Sequence, residues 1–237
     1  MGSLGAVMEH PQLGRPGKSL WSRYDSEDAA IKSINPNYED LSLSKKERKR
    51  YRENCALCTT AALLDMRGYD VEAMPRDTTK SASGRDIGWR GAVNVFDFDY
   101  NDFKSYIAPG SDRMNPTGMD WHKSIKNPNK FTRSLAKNAD LVDKQMQAWG
   151  ENSAAELIVG WKRGGYHSVV VFSDNGVTKV VDFQDGSKAT VHDYMLNDER
   201  DTLSPSHMEL KRLDNAPIKQ NIKDLDKMVR KKERKKK

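Results

Sequence analysis

The sequence predicts an α+β fold in which a helical region precedes an antiparallel β-meander. A helix is expected to begin directly after Asn54, which can cap it, because small and apolar residues recur at helical spacing from there to a stop at Gly68. Two Val-rich segments, 166–172 and 177–183, flank Asp174-Asn175-Gly176, which is a strong hairpin signal. A helix followed by such a hairpin indicates α+β.

The N-terminal part of the chain is predicted to be an arm, followed by short helical segments. Residues 1–25 are rich in glycine and proline and are expected to form an arm or linker. A helix is expected over 26–33 with Ser26 as its N-cap, and a turn over 34–38. Segment 44–50 is charged and polar, which is typical of either a short helix or a loop.

The later elements follow from hydrophobic periodicity. Residues 69–130 are poorly patterned, and their glycines and prolines predict long loops. After the helix that follows Asn54, helices are predicted over 140–149, near 191–196 and over 220–230. Strands are predicted over 93–98, 156–161, 166–172 and 177–183 and near 208–213. A domain is therefore expected over 26–218, with a basic tail over 219–237.

The basic charge is concentrated at the C-terminal end. The chain has 237 residues and a formal charge of +6. Residues 227–237 carry +7 of it, which leaves −1 for the rest. Such a run is typical of a solvated end, and it also fits non-specific attachment to nucleic acid. The tail residues that we assign to nucleic-acid contact are Lys231, Lys232, Arg234, Lys235, Lys236 and Lys237.

Membrane insertion and disulfide chemistry are not indicated by the sequence. No apolar run approaches the length of a membrane span, and residues 1–8 lack the features of a secretory signal peptide. The chain has 2 cysteines, Cys55 and Cys58, which excludes a disulfide scaffold and fits a reducing compartment.

Cys55 is the candidate nucleophile. It lies where a helix should begin, and the unpaired N–H groups and helix dipole there stabilise a thiolate. His167 starts a Val-rich strand and is the candidate base, and Asp182, at the end of the paired strand, is the candidate orienting acid. Each has an ordinary interpretation, respectively a buried thiol, a solvent-facing histidine and a strand-terminating acid. Together they indicate thiol hydrolase chemistry.

The spacing of Cys55 and Cys58 also fits a redox motif or half of a zinc site. A redox motif would follow a buried strand, whereas the charged segment 45–50 precedes this one. A zinc site would need further ligands, and the histidines do not show finger spacing. We therefore interpret Cys58 as a core residue and expect no metal and no cofactor.

Several motifs resemble the papain-fold toxin family, whose members are predicted glutamine deamidases or peptidases of bacterial polymorphic toxins and phage head-associated proteins. The first is Ile34-Asn35-Pro36-Asn37-Tyr38, and the second runs from Asn54-Cys55 to Arg67-Gly68-Tyr69-Asp70-Val71. The later motifs are His167 within its strand and Asp182-Phe183-Gln184-Asp185-Gly186, where the family usually has proline at the position of Phe183. The similarity covers roughly 31–218.

The resemblance implies a papain-like cysteine hydrolase fold, with an N-terminal nucleophile helix packed on an antiparallel sheet. It implies Cys55 as nucleophile, His167 as base and Asp182 as orienting acid, with Asn54 and Gln184 supporting the substrate or oxyanion. The expected activity is deamidation of glutamine or hydrolysis of a peptide bond in a protein substrate, and the sequence leaves both open.

An alternative hypothesis is a phage virion or minor head protein that keeps the papain-like fold for assembly. The arm and the basic tail motivate it, with capsid or portal proteins and non-specific nucleic acid as partners and no membrane contact. The location expected under the two hypotheses is the host bacterial cytoplasm or the virion.

Overall fold

The computed structural model describes residues 24–78, 91–97, 103–106, 128–161, 166–196, 203–220, 222 and 224–232. The helices are α1 (Glu27–Ile34), α2 (Lys45–Tyr51), α3 (Cys55–Met66), α4 (Pro128–Trp149) and α5 (Val191–Leu196). The strands are β1 (Val71–Ala73), β2 (Phe103–Tyr106), β3 (Ala154–Trp161), β4 (Tyr166–Asp174), β5 (Val177–Val181), β6 (Lys188–Thr190), β7 (Leu203–Arg212) and β8 (Val229–Lys231). Helices and antiparallel sheets confirm the predicted α+β class.

Contacts divide the chain into two units. The first comprises residues 1–98, 182–187 and 213–237, and the second comprises 99–181 and 188–212. The predicted single domain over 26–218 thus corresponds to parts of two units. Among the described residues, no helix combines the length and the apolar character needed to cross a membrane.

The helices of the first unit begin at well-defined polar residues. Ser26 caps α1, as predicted, by accepting a 3.1 Å hydrogen bond from the Ala29 N–H. Segment 45–51 is helical because Ser44 and Glu47 form a capping box, which settles the choice between helix and loop. The side chain of Asn54 does not cap α3, contrary to the prediction, because its amide is used in other contacts. Gly68, at φ +96°, ends that helix as expected.

Strands β1 and β8 form an antiparallel sheet on which α3 packs. Val71 pairs with Lys231, and Ala73 pairs with Val229. The helix predicted over 220–230 is wrong: the chain forms a 3₁₀ turn at Leu225–Lys227 and then β8. Strand β1 supplies backbone hydrogen-bond partners for β8. The apolar side chains of Leu225, Met228 and Val229 are buried in the first unit. The boundary of the predicted tail at residue 219 is accordingly corrected, since the fold extends through Lys232.

The strand predicted over 93–98 is also wrong. A 3₁₀ turn spans Ala92–Asn94, and an isolated bridge joins Phe96 to Ile218. Val95 and Phe96 are both fully buried, and the Val95 N–H donates to the Ala92 carbonyl at 2.9 Å within this turn. Residue 98 lies outside the described residues.

The second unit contains a six-stranded sheet in the order β2-β7-β3-β4-β5-β6. Neighbouring strands are antiparallel throughout this sheet. Helices α4 and α5 cover one face, and apolar side chains of both helices and of the sheet form the core there. The predicted β4–β5 hairpin is confirmed, with Asn175 at φ +53° and Gly176 at φ +74° as in a type I′ turn. Strand β5 ends at Val181, two residues earlier than predicted.

Candidate active site

Cys55 is the first residue of α3 and is half-buried. The N–H groups of Leu57 and Cys58 donate to the Asn54 carbonyl at 2.9 and 3.0 Å, which closes the first helical turn. The N–H groups at the very start of a helix have no partner within it, and they point toward the positive end of the helix dipole. Cys55 therefore lies where the backbone favours a negative charge on a bound or reacting group.

Asn54 is fully buried, and its amide holds the segments around Cys55 in place. Its Nδ2 donates to the Met74 carbonyl at 3.0 Å, and its Oδ1 accepts from the Cys58 thiol at 3.2 Å. These contacts give Asn54 a structural role beside the thiol. Its predicted role in supporting the substrate or oxyanion stays a prediction.

Cys58 is a buried core residue, as predicted. Burial raises the pKa of its thiol well above the ordinary value, and the negative charge of Asp182 adds to the shift. The thiol therefore stays protonated and donates to Asn54. The electrostatic effect of Asp182 also shows that its carboxylate lies near the first turns of α3.

Asp182 begins a closed loop of residues 182–187, which we call the acid loop. The Asp182 carboxylate is almost fully buried, and its Oδ1 accepts a 2.9 Å hydrogen bond from the Gln184 N–H. The Asp182 backbone pairs with Gly186 and Ser187 at 2.8 and 2.9 Å. Gly186 is at φ +85°, a conformation that favours glycine. The acid loop thus fixes the carboxylate immediately after strand β5.

Asn35 is a site residue to which the sequence assigned no role, although it lies in the first motif that resembles the family. It is buried at the C-terminal end of α1, and its Nδ2 donates to the carbonyl of Tyr51 at 3.1 Å and to that of Gln184 at 2.9 Å. Its amide joins the segment before Cys55 to the acid loop. The sequence signal was its place in the 34–38 segment, which is predicted as a turn and also resembles a family motif.

His167 lies in the second unit, as the second residue of β4, and pairs with Val159 of β3. His167 is 8% exposed, which excludes the ordinary alternative of a solvent-facing histidine. The next residue, Ser168, donates to buried Glu156 at 2.8 Å. The structure places Cys55, Asp182 and Gln184 in the first unit, and the grouping of His167 with them stays a prediction.

Part of the predicted nucleic-acid tail belongs to the fold. Lys231 ends β8 with an exposed side chain, whereas Lys232 is mostly buried. Its ammonium group donates to Asp65 at 2.7 Å and to Ser33 at 2.8 Å, and it contacts the hydroxyl of Tyr24. The arm at 1–23 and the basic residues Arg234, Lys235, Lys236 and Lys237 lie outside the described residues. Within the described part, no cluster of three or more His, Cys, Asp or Glu side chains could hold a metal ion.

Comparison with known proteins identifies one family. Neither the curated proteins nor the solved structures give a match to this chain. The sequence model of the family described as papain fold toxin 1, glutamine deamidase, matches residues 53–187. The match covers more than half of the 237 residues and includes Cys55, His167, Asp182 and Gln184. The protein therefore belongs to the papain-fold toxin family of glutamine deamidases.

Proposed function

We propose that the protein deamidates a glutamine side chain in a protein substrate, with Cys55 as nucleophile, His167 as general base and acid, and Asp182 as orienting carboxylate. The observation that carries the proposal is the position of Cys55 at the first residue of α3, in the same unit as the rigid acid loop. The family match supports it, because it spans all three residues.

The reaction follows from these roles. His167 takes the proton of the Cys55 thiol, and the sulfur attacks the carbon of the glutamine side-chain amide. The oxyanion that forms is stabilised by the backbone N–H of Cys55, and one such donor contributes roughly 10²- to 10³-fold in rate. His167 then gives its proton to the leaving ammonia, and a thioester remains on Cys55.

Water completes the cycle. His167 takes a proton from the water molecule as its oxygen attacks the thioester carbon, and the same proton returns to the departing sulfur. The products are a glutamate side chain and ammonia, with the Cys55 thiol restored. A peptide bond would follow the same path with an amine as leaving group, and the family match favours ammonia.

The contacts of Asp182 within the acid loop support the orienting role that we propose for it. Its Oδ1 accepts from the Gln184 N–H, which fixes the plane of the carboxylate. A carboxylate offers about four lone-pair positions, and we assign one of them to an N–H of the His167 imidazole. That hydrogen bond would select the tautomer that can accept the thiol proton and would stabilise the imidazolium.

The test is a search for deamidated glutamine in bacterial lysate proteins. Lysate is incubated with wild-type protein, with Cys55→Ala and with Cys58→Ser, and peptides are compared by mass spectrometry. We expect glutamine-to-glutamate conversion at defined sites with wild type and Cys58→Ser, and none with Cys55→Ala. Cleaved peptide bonds in place of deamidation would show a protease. Equal peptide patterns for wild type and Cys55→Ala would refute the proposal.

A further inference from the structure

The side chain of Asn35 joins two segments that are far apart in sequence. It is 5% exposed, and its single NH₂ group donates to the carbonyls of Tyr51 and Gln184 at 3.1 and 2.9 Å. An amide NH₂ has two hydrogens, so these two contacts use both donors. A further approach to Asn54 Oδ1, at 3.4 Å, is longer.

The first partner lies just before the nucleophile. Tyr51 is the last residue of α2, and its carbonyl is one of those that a helix leaves without an internal partner. Only Arg52, Glu53 and Asn54 separate it from Cys55. The hydrogen bond from Asn35 therefore fixes the end of α2 and with it the start of the short connection to α3.

The second partner, Gln184, also donates a hydrogen bond to the Asp182 carboxylate. The Gln184 carbonyl accepts from Asn35, while the Gln184 N–H donates to the Asp182 carboxylate at 2.9 Å. Both backbone polar groups of Gln184, the N–H and the carbonyl, are therefore held by hydrogen bonds. A shift of its carbonyl would tilt the adjoining backbone and displace the N–H that orients Asp182.

We propose that Asn35 is a positioning residue. Through its hydrogen bonds to Gln184 and Tyr51, it fixes the position of the Asp182 carboxylate relative to the start of α3. The inference rests on the proposed function, since it assigns Asn35 a role through Asp182 and Cys55. Asn35 does not itself touch the reacting atoms.

The two carbonyls at this position are both satisfied by the single NH₂ group of Asn35. Alanine would leave two carbonyls without their donor in the interior, and aspartate would place acceptor oxygens against them. Either change would loosen the acid loop. A purely structural amide would also lower stability on removal, so stability alone does not test the role.

A double-mutant cycle separates positioning from general stability. The readout is the rate at which iodoacetamide alkylates Cys55, followed by intact mass at neutral pH and at a temperature where every variant is folded. The variants are Asn35→Ala, Asp182→Asn and their combination. Asn35→Ser, which keeps one hydroxyl donor, serves if Asn35→Ala does not fold. The control is Asp65→Asn, which weakens a buried contact of the same unit at the other end of α3, about 15 Å along the helix from Cys55.

We expect Asn35→Ala to slow alkylation about tenfold, because small displacements within an active site cost that much or more. In the Asp182→Asn background the same change should alter the rate by less than about twofold, since the carboxylate it positions is gone. Asp65→Asn should lower the melting temperature and leave the alkylation rate unchanged in both backgrounds.

The outcomes distinguish the two proposals. If Asp182→Asn slows alkylation and Asn35→Ala does not, or if their losses multiply, Asn35 is not a positioning residue. If Asp182→Asn leaves the alkylation rate of Cys55 unchanged, or the folded wild type reacts no faster than the urea-unfolded chain, the proposed role of Asp182 and Cys55 fails instead.

Discussion

The ammonium group of Lys232 lies 2.7 Å from the Asp65 carboxylate and so joins the residue after β8 to the last turn of helix α3. Asp65 is 1% exposed, and the Tyr24 hydroxyl also donates to it at 2.7 Å. A buried charge of this kind depends on its partner, because the interior does not solvate it. The first prediction concerns this pair.

Removing either partner should destabilise the protein. Asp65→Asn leaves the Lys232 ammonium buried without its counterion, and Lys232→Met leaves the carboxylate with the hydroxyl of Tyr24. We expect losses of about 3 kcal/mol for each in urea unfolding, and less than the sum for the double variant. Lys231→Met, at the neighbouring exposed position, is the matched control and should change stability little. Equal stability of Lys231→Met and Lys232→Met would contradict the role of the pair.

Lys232 should also be dispensable for nucleic-acid binding. Its ammonium group is occupied by Asp65 and Ser33, so it offers little charge to a phosphate backbone. We expect Lys232→Met to retain wild-type elution from a DNA column in a salt gradient. Removal of residues 234–237 is the comparison, and it should shift elution to lower salt if the tail binds. Elution of Lys232→Met at lower salt than the truncated chain would show that Lys232 contributes more to DNA binding than residues 234–237 do.

Alkaline pH should destabilise the fold through Cys58. Burial raises the pKa of this thiol above its ordinary value of 9.0, so the folded state keeps a proton that the unfolded chain releases. The stabilisation is present below pH 9.0 and is lost as pH rises toward the folded pKa. Unfolding free energy should fall as pH rises above that value, and Cys58→Ala should flatten this decline. The pKa values of Tyr38 and Tyr166, also raised by burial, contribute only at still higher pH.

An unchanged alkaline decline in Cys58→Ala would show that other groups carry it. The measurement is a series of urea titrations from pH 8 upward with reducing agent present, so that cysteine oxidation does not contribute. Because alanine also removes the hydrogen bond to Asn54, the comparison uses the slope of stability against pH and not its absolute value.

Acid pH should weaken the capping box of α2 by protonating the Glu47 carboxylate. Hydrogen bonds from Ser44 lower the pKa of Glu47 below its ordinary value of 4.5. The depressed pKa means that this contribution is present above pH 4.5 and is lost as pH falls through the folded pKa. Ser44→Ala removes the hydroxyl donor and keeps the backbone N–H, so the titration of Glu47, followed by NMR, should move part of the way toward that ordinary value. A titration of Glu47 that Ser44→Ala leaves unchanged would exclude the Ser44 hydroxyl as a cause of the lowered pKa.

His167 should control the reactivity of Cys55. If it is the base of the proposed triad, His167→Ala should slow alkylation of Cys55 near neutral pH by roughly 10²-fold. His192 is the matched control, since it is half-exposed and pairs with Asp140 at 3.2 Å within the second unit. His192→Ala should react like wild type. Equal rates for the two histidine variants would remove His167 from the mechanism.

Local signals predicted the local structure well. Ser26 caps α1 because its hydroxyl reaches an N–H three residues away, and the Asn175-Gly176 turn forms because both residues tolerate positive φ. Such contacts lie within a few residues, so the sequence displays both partners together. The start of α3 at Cys55 was predicted for the same reason, although the cap itself was not formed by Asn54.

The misses involve partners that are distant in sequence. Asn35 and Gln184 are 149 residues apart, and nothing near Asn35 indicates that its amide serves a loop so far along the chain. Segment 229–231 becomes a strand because β1 offers it an edge, although its basic residues suggested helix or tail. Partners distant in sequence determine the contacts of Asn35 and the strand at 229–231. Hydrophobic periodicity carries no information about which distant segments come together.

The contact between Lys232 and Asp65 spans 167 residues, which has a consequence for how the chain matures on the ribosome. Helix α3 is synthesised early, but the strand that covers β1 and the cation that neutralises Asp65 arrive only when synthesis has passed residue 232. Until then helix α3 lacks these long-range contacts, because their partners have not yet been synthesised. A nascent chain that stops before β8 would therefore hold Cys55 on an incomplete scaffold.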